Sequence, residues 1–158
     1  NMAAAGGVLA ALFMSLIMTG KMDVTMAING AIAGLVSITA DPLSPAGGTA
    51  VIVGAIGGAI VYFSIVFLEK AGVDDPVGAI SAHGTVGIYG VLVVSLTGGA
   101  SFIGQLTGVV MIAAFTYLAS LATIYVINMI MPIRASDAEQ EAGLDISEVG
   151  IEAYPEFK

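Results

Sequence analysis

The chain has 158 residues, of which 58% are hydrophobic and 10% are charged, and its formal net charge is −8. Ordinary soluble domains are roughly 45–50% apolar and about 25% charged, and a globule this small keeps much of its surface in water. The composition therefore argues against a soluble protein and for the lipid bilayer as solvent. Four basic residues are too few to bind nucleic acid through its phosphates. A sequence without cysteine also excludes disulfides, thiolate metal sites and thiol nucleophiles, and we expect no metal and no cofactor.

The beginning of the chain does not look like a natural start. Asn1 lies at the edge of an apolar stretch that has neither a basic region nor a small-residue cleavage site. We expect neither a signal peptide nor a true N-terminus there, and interpret the chain as a fragment of a longer protein.

Charged and turn-forming residues divide the apolar sequence into five predicted membrane helices. A transmembrane helix needs about 20 mostly apolar residues, and the breaks fall at residues 20–23, 41–48, 69–75 and 97–101. Pro76 is placed in the first turn of the fourth helix, with Asp74 or Asp75 as its N-cap. The sequence predicts an all-α membrane bundle over residues 1–132, with helices at 2–20, 24–40, 49–68, 76–96 and 102–131.

The basic residues predict the orientation of this bundle. Lys21, Lys70, Arg134 and Lys158 all fall on one side of a five-helix topology, and the two opposite loops contain no Lys or Arg. By the positive-inside rule that side is cytoplasmic. We therefore expect a multi-pass plasma-membrane protein with Asn1 outside and the tail inside the cell.

The tail, residues 133–158, is soluble in character and contains seven of the 12 acidic residues. Ser136 and Glu139 have the spacing of a capping box, and Gly143 can end a helix in the left-handed conformation. The pattern predicts a two-turn helix before an irregular end. The alternative is that the acidic run is only a solvated terminus.

Small residues repeat at a spacing of four within the predicted helices. This spacing lets helix backbones approach closely in lipid, and it occurs at Gly30/Gly34, Gly54/Gly58 and Gly104/Gly108. The pairs predict a compact bundle or close contact between subunits, and they carry no information about a substrate.

His83 is the candidate functional residue of the membrane region. It lies about two turns inside the predicted fourth helix, roughly 10 Å from its cytoplasmic end, and small residues surround it in the sequence. Ionisable groups within the membrane are costly and mark pathways or relays, so we expect a pore or a proton relay. An intramembrane protease would need a Ser/His pair, paired Asp or a metal triad. The sequence offers no such set, and we do not expect an enzyme.

Several motifs in order resemble the Amt/Mep/Rh ammonium transporter family. Residues 73–79 read VDDPVGA and residues 81–87 read SAHGTVG, similar to the family signature VDDPxxAxxxHGxxG. Residues 29–40, NGAIAGLVSITA, are similar to the family's NGxLAGLVxITA, and GKMD at 20–23 to its GKPD loop. GQL at 104–106, GLD at 143–145 and EAYP at 152–155 also fit. The resemblance implies that the chain corresponds to helices seven to eleven, plus the cytoplasmic tail, of an 11-helix fold made of inverted repeats.

The resemblance also implies roles for individual residues. His83 matches the second of the family's twin pore histidines, Ile32 and Ala79 match positions lining the apolar channel, and Asn29 lies near the cytoplasmic mouth. Asp75, Arg134, Gly143, Asp145 and Tyr154 fall at structural or regulatory positions of the cytoplasmic face. Val149 and Ile151 depart from the family's HGE motif, and Pro132 stands where Gly is usual.

The implied function is ammonium transport for nitrogen utilisation. The resemblance also implies that ammonium loses its proton and crosses the apolar constriction as ammonia. A full charge would cross the constriction only at a high cost in free energy. The implied partners are ammonium or ammonia, the lipid bilayer, two further copies in a homotrimer and the small PII signal protein at the tail. The alternative is an ammonium sensor or receptor with the same fold, which would bind methylammonium without accumulating it.

Overall fold

The computed structural model describes residues 1–152 and 155–156, and within these it contains helices and no strands. The α-helices are α1 (Met2–Thr19), α2 (Val24–Ile38), α3 (Gly47–Lys70), α4 (Val86–Thr97), α5 (Phe102–Ile130) and α6 (Asp137–Ala142). Two π-helical turns, Ile80–Thr85 and Asp145–Val149, precede α4 and follow α6. The chain divides into two compact units, residues 1–111 and 112–158.

In the first unit, α1 packs between α2 and α3 through residues that lack long side chains. A Cβ placed on Gly7 would overlap the carbonyl oxygen of Gly30, and one on Gly34 or Gly54 would overlap the carbonyl oxygen of Ala3. The backbones are therefore in direct contact. This is the packing that the small-residue spacing predicts for Gly30/Gly34 and Gly54/Gly58. The matching stripe on α1, Ala3, Gly7 and Ala11, was not among the predicted pairs although it has the same spacing.

The second apolar helix is shorter than the predicted 24–40. It ends at Ile38 because the chain turns there, with the Asp41 amide donating to the Ile38 carbonyl at 3.2 Å, and because Pro42 disfavours a helical conformation at Asp41. Its 15 residues span about 22 Å, less than the roughly 30 Å hydrocarbon core. Among the described residues, four helices are long and apolar enough to cross a membrane, and α2 is a shorter apolar helix that packs against α1, α3 and α4.

The predicted start of the fourth helix at Pro76 is wrong. Pro76 and Val77 form a turn, Gly78 has a φ of +73°, and the helix begins with the π-helical turn at Ile80. His83 therefore lies one turn inside the helix rather than two. The other three predicted spans agree with α1, α3 and α5 to within two residues at each end.

α5 has no buried residue in the part of the chain that the structure describes. A Cβ at Gly108 would meet nothing within 4 Å, and one at Gly104 would meet only Ser101. The described chain therefore gives this pair no partner helix, because the spacing identifies a face that permits close approach and does not supply the partner. A contact between subunits at this face stays a prediction. Long apolar helices with many exposed large hydrophobic side chains define a multi-pass membrane protein.

The second unit includes the tail, where the predicted capping box is present. The Glu139 amide donates to the Ser136 hydroxyl at 3.4 Å, and the Ser136 amide donates to the Glu139 carboxylate at 2.7 Å. The helix ends before Gly143 as predicted, but with six residues rather than two turns, and Gly143 has φ 97° and ψ 130°, outside the left-handed helical region. A π-helical turn that was not predicted follows the helix, and residues 151–152 after it have no regular secondary structure.

A groove around His83

A groove of about 340 Å³ brings together the four residues predicted to line the pore. His83 and Ala79 come from the start of the fourth helix, and Asn29 and Ile32 come from α2. The remaining lining residues are Thr25, Ile28, Pro76, Val77, Gly78 and Ala82. Residues more than 40 positions apart in the sequence thus share one groove.

His83 lies on the π-helical turn Ile80–Thr85, where it is exposed to the groove. π-helical turns are rare and occur frequently at functional sites because they alter the direction of a side chain relative to a regular helix. Within the described residues the imidazole has no hydrogen-bond partner. An imidazole in this position can offer a ring nitrogen, as donor or acceptor, to a molecule in the groove.

Asn29 brings an amide to the same groove from the opposite side. It is 3% exposed, and its amide nitrogen donates to the Thr25 carbonyl at 3.2 Å. Its Oδ1 lies against Gly78, where an added Cβ would approach to 2.7 Å. Gly78 is needed here for two reasons, since its φ of +73° disfavours other residues and its lack of a side chain leaves space for Asn29.

Asp75 caps the π-helical turn from five residues upstream. One carboxylate oxygen accepts from the Ile80 amide at 3.0 Å, and the other accepts from the amide and the hydroxyl of Ser81, both at 3.1 Å. Desolvation raises the pKa of the Asp75 carboxyl, but these hydrogen bonds together outweigh it, so the pKa lies below its ordinary value of 3.8. The carboxylate is therefore ionised at neutral pH. It accepts hydrogen bonds from amides in the first turn of the helix, which have no partner within the helix.

The groove walls combine apolar surface with few polar groups. Ile32 and the buried Ala82 belong to a small core that also includes Ala33, Val61 and Val86. Apolar walls disfavour a hydrated ion, while the imidazole of His83 and the amide of Asn29 provide hydrogen bonds. The arrangement suits a small, neutral, polar molecule.

The predicted tail residues lie in the second unit. Arg134 donates to the Gln140 side chain at 3.2 Å, Gly143 ends α6, and Asp145 begins the second π-helical turn. Tyr154 lies outside the described residues. Asp75 belongs to the first unit, and the structural or regulatory role that the resemblance implies for Asp75 and the tail residues stays a prediction.

Sequence reasoning missed two parts of the site. It did not identify Gly78, and it treated Ser81 only as a small neighbour of His83 without connecting it to Ser64 and Thr85. The available signal was that hydroxyl groups within apolar spans seek hydrogen-bond partners on neighbouring helices.

The sequence profile of the Ammonium Transporter Family matches residues 1–154. The chain belongs to this family. Its relatives include "Ammonium transporter Amt2" of Archaeoglobus fulgidus, 34% identical over 99% of the chain, and "Ammonium transporter Amt2" of Methanocaldococcus jannaschii, 36% identical over 99%. The family is one of membrane transporters rather than enzymes.

Among solved structures, this member of the ammonium transporter family is similar to a "Sensor Amt Protein", with a TM-score of 0.85, 26% sequence identity and 94% of the chain covered. The chain spans 38% of the length of each of the two relatives above and 40% of that solved chain. The similarity therefore covers a part of each relative.

Proposed function

We propose that this chain forms part of an ammonium-transporting subunit in which His83, Asn29, Ile32 and Ala79 line the path of ammonia. The observation that carries the proposal is the convergence of these four residues in one groove, in a chain of the ammonium transporter family. Helices from further sequence complete the path, and the chain contributes helices seven to eleven of the subunit.

The chemistry of the groove supports ammonia rather than ammonium as the species that passes His83. An ammonium ion would have to leave water for apolar walls, which costs several kcal/mol or more for an unpaired charge. Ammonia has no net charge and can form hydrogen bonds with an imidazole nitrogen and an amide oxygen. In the proposed step, ammonium transfers its proton to water before the constriction, ammonia crosses the apolar walls, and ammonia takes up a proton from water on the other side. This sequence lowers the barrier because no net charge enters the apolar part of the path.

The proposed subunit works as a homotrimer in the plasma membrane, with Asn1 outside and the tail in the cytoplasm. The orientation is supported by the positions of the four basic residues. We propose that the tail, with its capped helix, serves as the docking surface for the PII signal protein.

A sensor function is the second candidate, favoured by the similarity to a solved "Sensor Amt Protein". Uptake of radiolabelled methylammonium by cells that express the complete subunit separates the two functions. A transporter accumulates the label inside the cell, and a sensor binds it without accumulation. Accumulation above that of cells without the protein supports transport, and specific binding without accumulation contradicts it.

A further inference from the structure

A cluster of three hydroxyl groups joins α3 to the π-helical turn that carries His83. The Ser64 hydroxyl on α3 lies 3.1 Å from that of Ser81 and 2.9 Å from that of Thr85. Ser64 is 9% exposed and Ser81 is fully buried. Ser81 and Thr85 lie two residues before and two residues after His83, so one side chain of α3 is bonded to both flanks of the histidine.

Ser81 is also held from the other side. Its amide and its hydroxyl both donate to the carboxylate of Asp75. The hydrogen bonds form a continuous series from Ser64 on α3, through Ser81, to Asp75 in the loop before the helix. The backbone at Ser81 is consequently fixed relative to both α3 and the loop before the helix.

Bonds from outside the helix can stabilise a π-helical turn. Its wider winding is less favourable than a regular α-helix, which is why it occurs in short pieces. In apolar surroundings few competing partners are available for a hydroxyl, so bonds between neighbouring helices persist. Within the described chain, Ser64 supplies bonds from another helix that favour the wide turn.

We propose that Ser64 is a positioning residue that sets the direction of the His83 side chain by holding Ser81 and Thr85. This inference rests on the proposed function, because it assigns to Ser64 a role in transport through His83. Ser64 is not among the residues that line the His83 groove, and instead lines a separate apolar groove with Thr85 on the α3 side. Its influence on a permeant molecule therefore acts through the backbone of the π-helical turn.

Replacement of Ser64 by alanine should leave the fold in place. The α3 contact with this region also includes the buried side chains Val61, Ala82 and Val86, which the substitution does not touch. Ser81 keeps its bonds to Asp75, and Thr85 can turn its hydroxyl to a carbonyl of its own helix. The lost restraint lets the turn relax toward a regular helix, which changes the direction of His83.

The test is a double-mutant cycle in the complete subunit, reconstituted in lipid vesicles. The readouts are the initial uptake rates of radiolabelled methylammonium and of potassium, and the ratio of methylammonium to potassium uptake. We expect Ser64→Ala to lower that ratio by about tenfold in the presence of His83, and to have no further effect in the His83→Ala background, as is typical of residues acting through one network. Ser64→Thr, which keeps the hydroxyl, should restore the wild-type ratio. Ser95→Ala is the matched control, since Ser95 bonds to the Leu92 carbonyl of its own helix.

Each result decides between the alternatives. An unchanged ratio in Ser64→Ala, or an equal effect with and without His83, overturns the positioning role. A wild-type ratio in His83→Ala overturns the proposed function itself, so the two failures are distinguishable. If Ser64→Ala does not reach the membrane, Thr85→Val replaces it in the same cycle. This variant removes one of the two Ser64 bonds at an exposed residue. An unchanged ratio, or an equal effect with and without His83, would again overturn the positioning role.

Discussion

The carbonyl oxygen of Gly7 in α1 lies so close to Gly58 in α3 that a Cβ on Gly58 would overlap it. A Cβ on Gly7 would in turn overlap the Gly30 carbonyl oxygen of α2 and approach the backbone of Gly34 to 3.0 Å. The first unit is therefore built around backbone contacts that leave no space for side chains. In lipid, where apolar burial does not drive helix association, this close packing provides much of the attraction between helices.

Gly34→Leu should disrupt the bundle. A Cβ at this position would overlap the Ala3 carbonyl, so α1 and α2 must separate, and overpacking of a tight contact costs about 1–3 kcal/mol or more. We expect loss of folded protein in detergent, measured as the monodisperse fraction in size-exclusion chromatography. Gly48→Leu is the control, since a Cβ at Gly48 meets nothing within 4 Å. Equal recovery of both variants would contradict the packing.

Asp75→Asn should weaken the start of the fourth helix and remove part of its pH dependence. The native carboxylate has a pKa below 3.8, so its contribution to stability is present above the pKa of the unfolded chain and is lost as the pH falls below about 4 through the folded-state pKa. Asn keeps one acceptor oxygen and does not titrate in this range. We expect a loss of about 0.5–2 kcal/mol at neutral pH, the usual range for a helix cap, measured by unfolding in detergent.

The pH dependence provides the control for Asp75. The difference in stability between wild type and Asp75→Asn should shrink as the pH falls below about 4, because the wild-type carboxyl is then protonated. Glu69→Gln, which removes a carboxylate whose side chain has no hydrogen bond in the described part of the chain, should leave the wild-type curve unchanged. A difference that stays constant at all pH values would mean that Asp75 acts without its charge.

Truncation after Ser136 tests the tail. We expect the truncated subunit to insert in the membrane normally, and to show reduced uptake or loss of PII binding, because α6 and the π-helical turn after it are removed. Ser136→Ala in the full-length subunit should weaken the capped helix by about 1 kcal/mol and reproduce a smaller part of the effect. Methylammonium uptake and PII co-sedimentation with vesicles provide the measurements. Wild-type values for both in the truncated protein would identify the tail as a solvated terminus.

Local patterns in the sequence predict more of this structure than long-range ones. The capping box at Ser136 and Glu139 was predictable because both of its bonds join residues three positions apart. The bounds of α1, α3 and α5 followed closely from the charges and turn residues, since these residues are disfavoured within an apolar span. The predicted start at Pro76 is wrong because the Asp75 carboxylate accepts from the amides of Ile80 and Ser81, five and six residues later. The usual N-cap rule considers only amides two or three residues after the capping residue.

The sequence identified the candidate residues but not their geometry, and their role in an ammonia path stays a prediction. His83 stood out as the single histidine of an apolar sequence, and the family motifs pointed to Asn29, Ile32 and Ala79. The π-helical turn and the bonds of Ser64 depend on which face of α3 packs against the fourth helix, which the sequence pattern of a uniformly apolar helix does not indicate. Such bonds between distant residues require the three-dimensional arrangement.

The most direct test of the proposed ammonia path is the selectivity of His83→Ala in the complete subunit, measured as uptake of methylammonium and of potassium into lipid vesicles. If the imidazole provides hydrogen bonds to ammonia in an apolar groove, its removal should lower methylammonium uptake or admit potassium, while the amount of assembled protein in the membrane stays at the wild-type level. Ser95→Ala serves again as the control for substitution within the same helix. Wild-type uptake and wild-type selectivity in His83→Ala would contradict the assignment of this groove to the ammonia path.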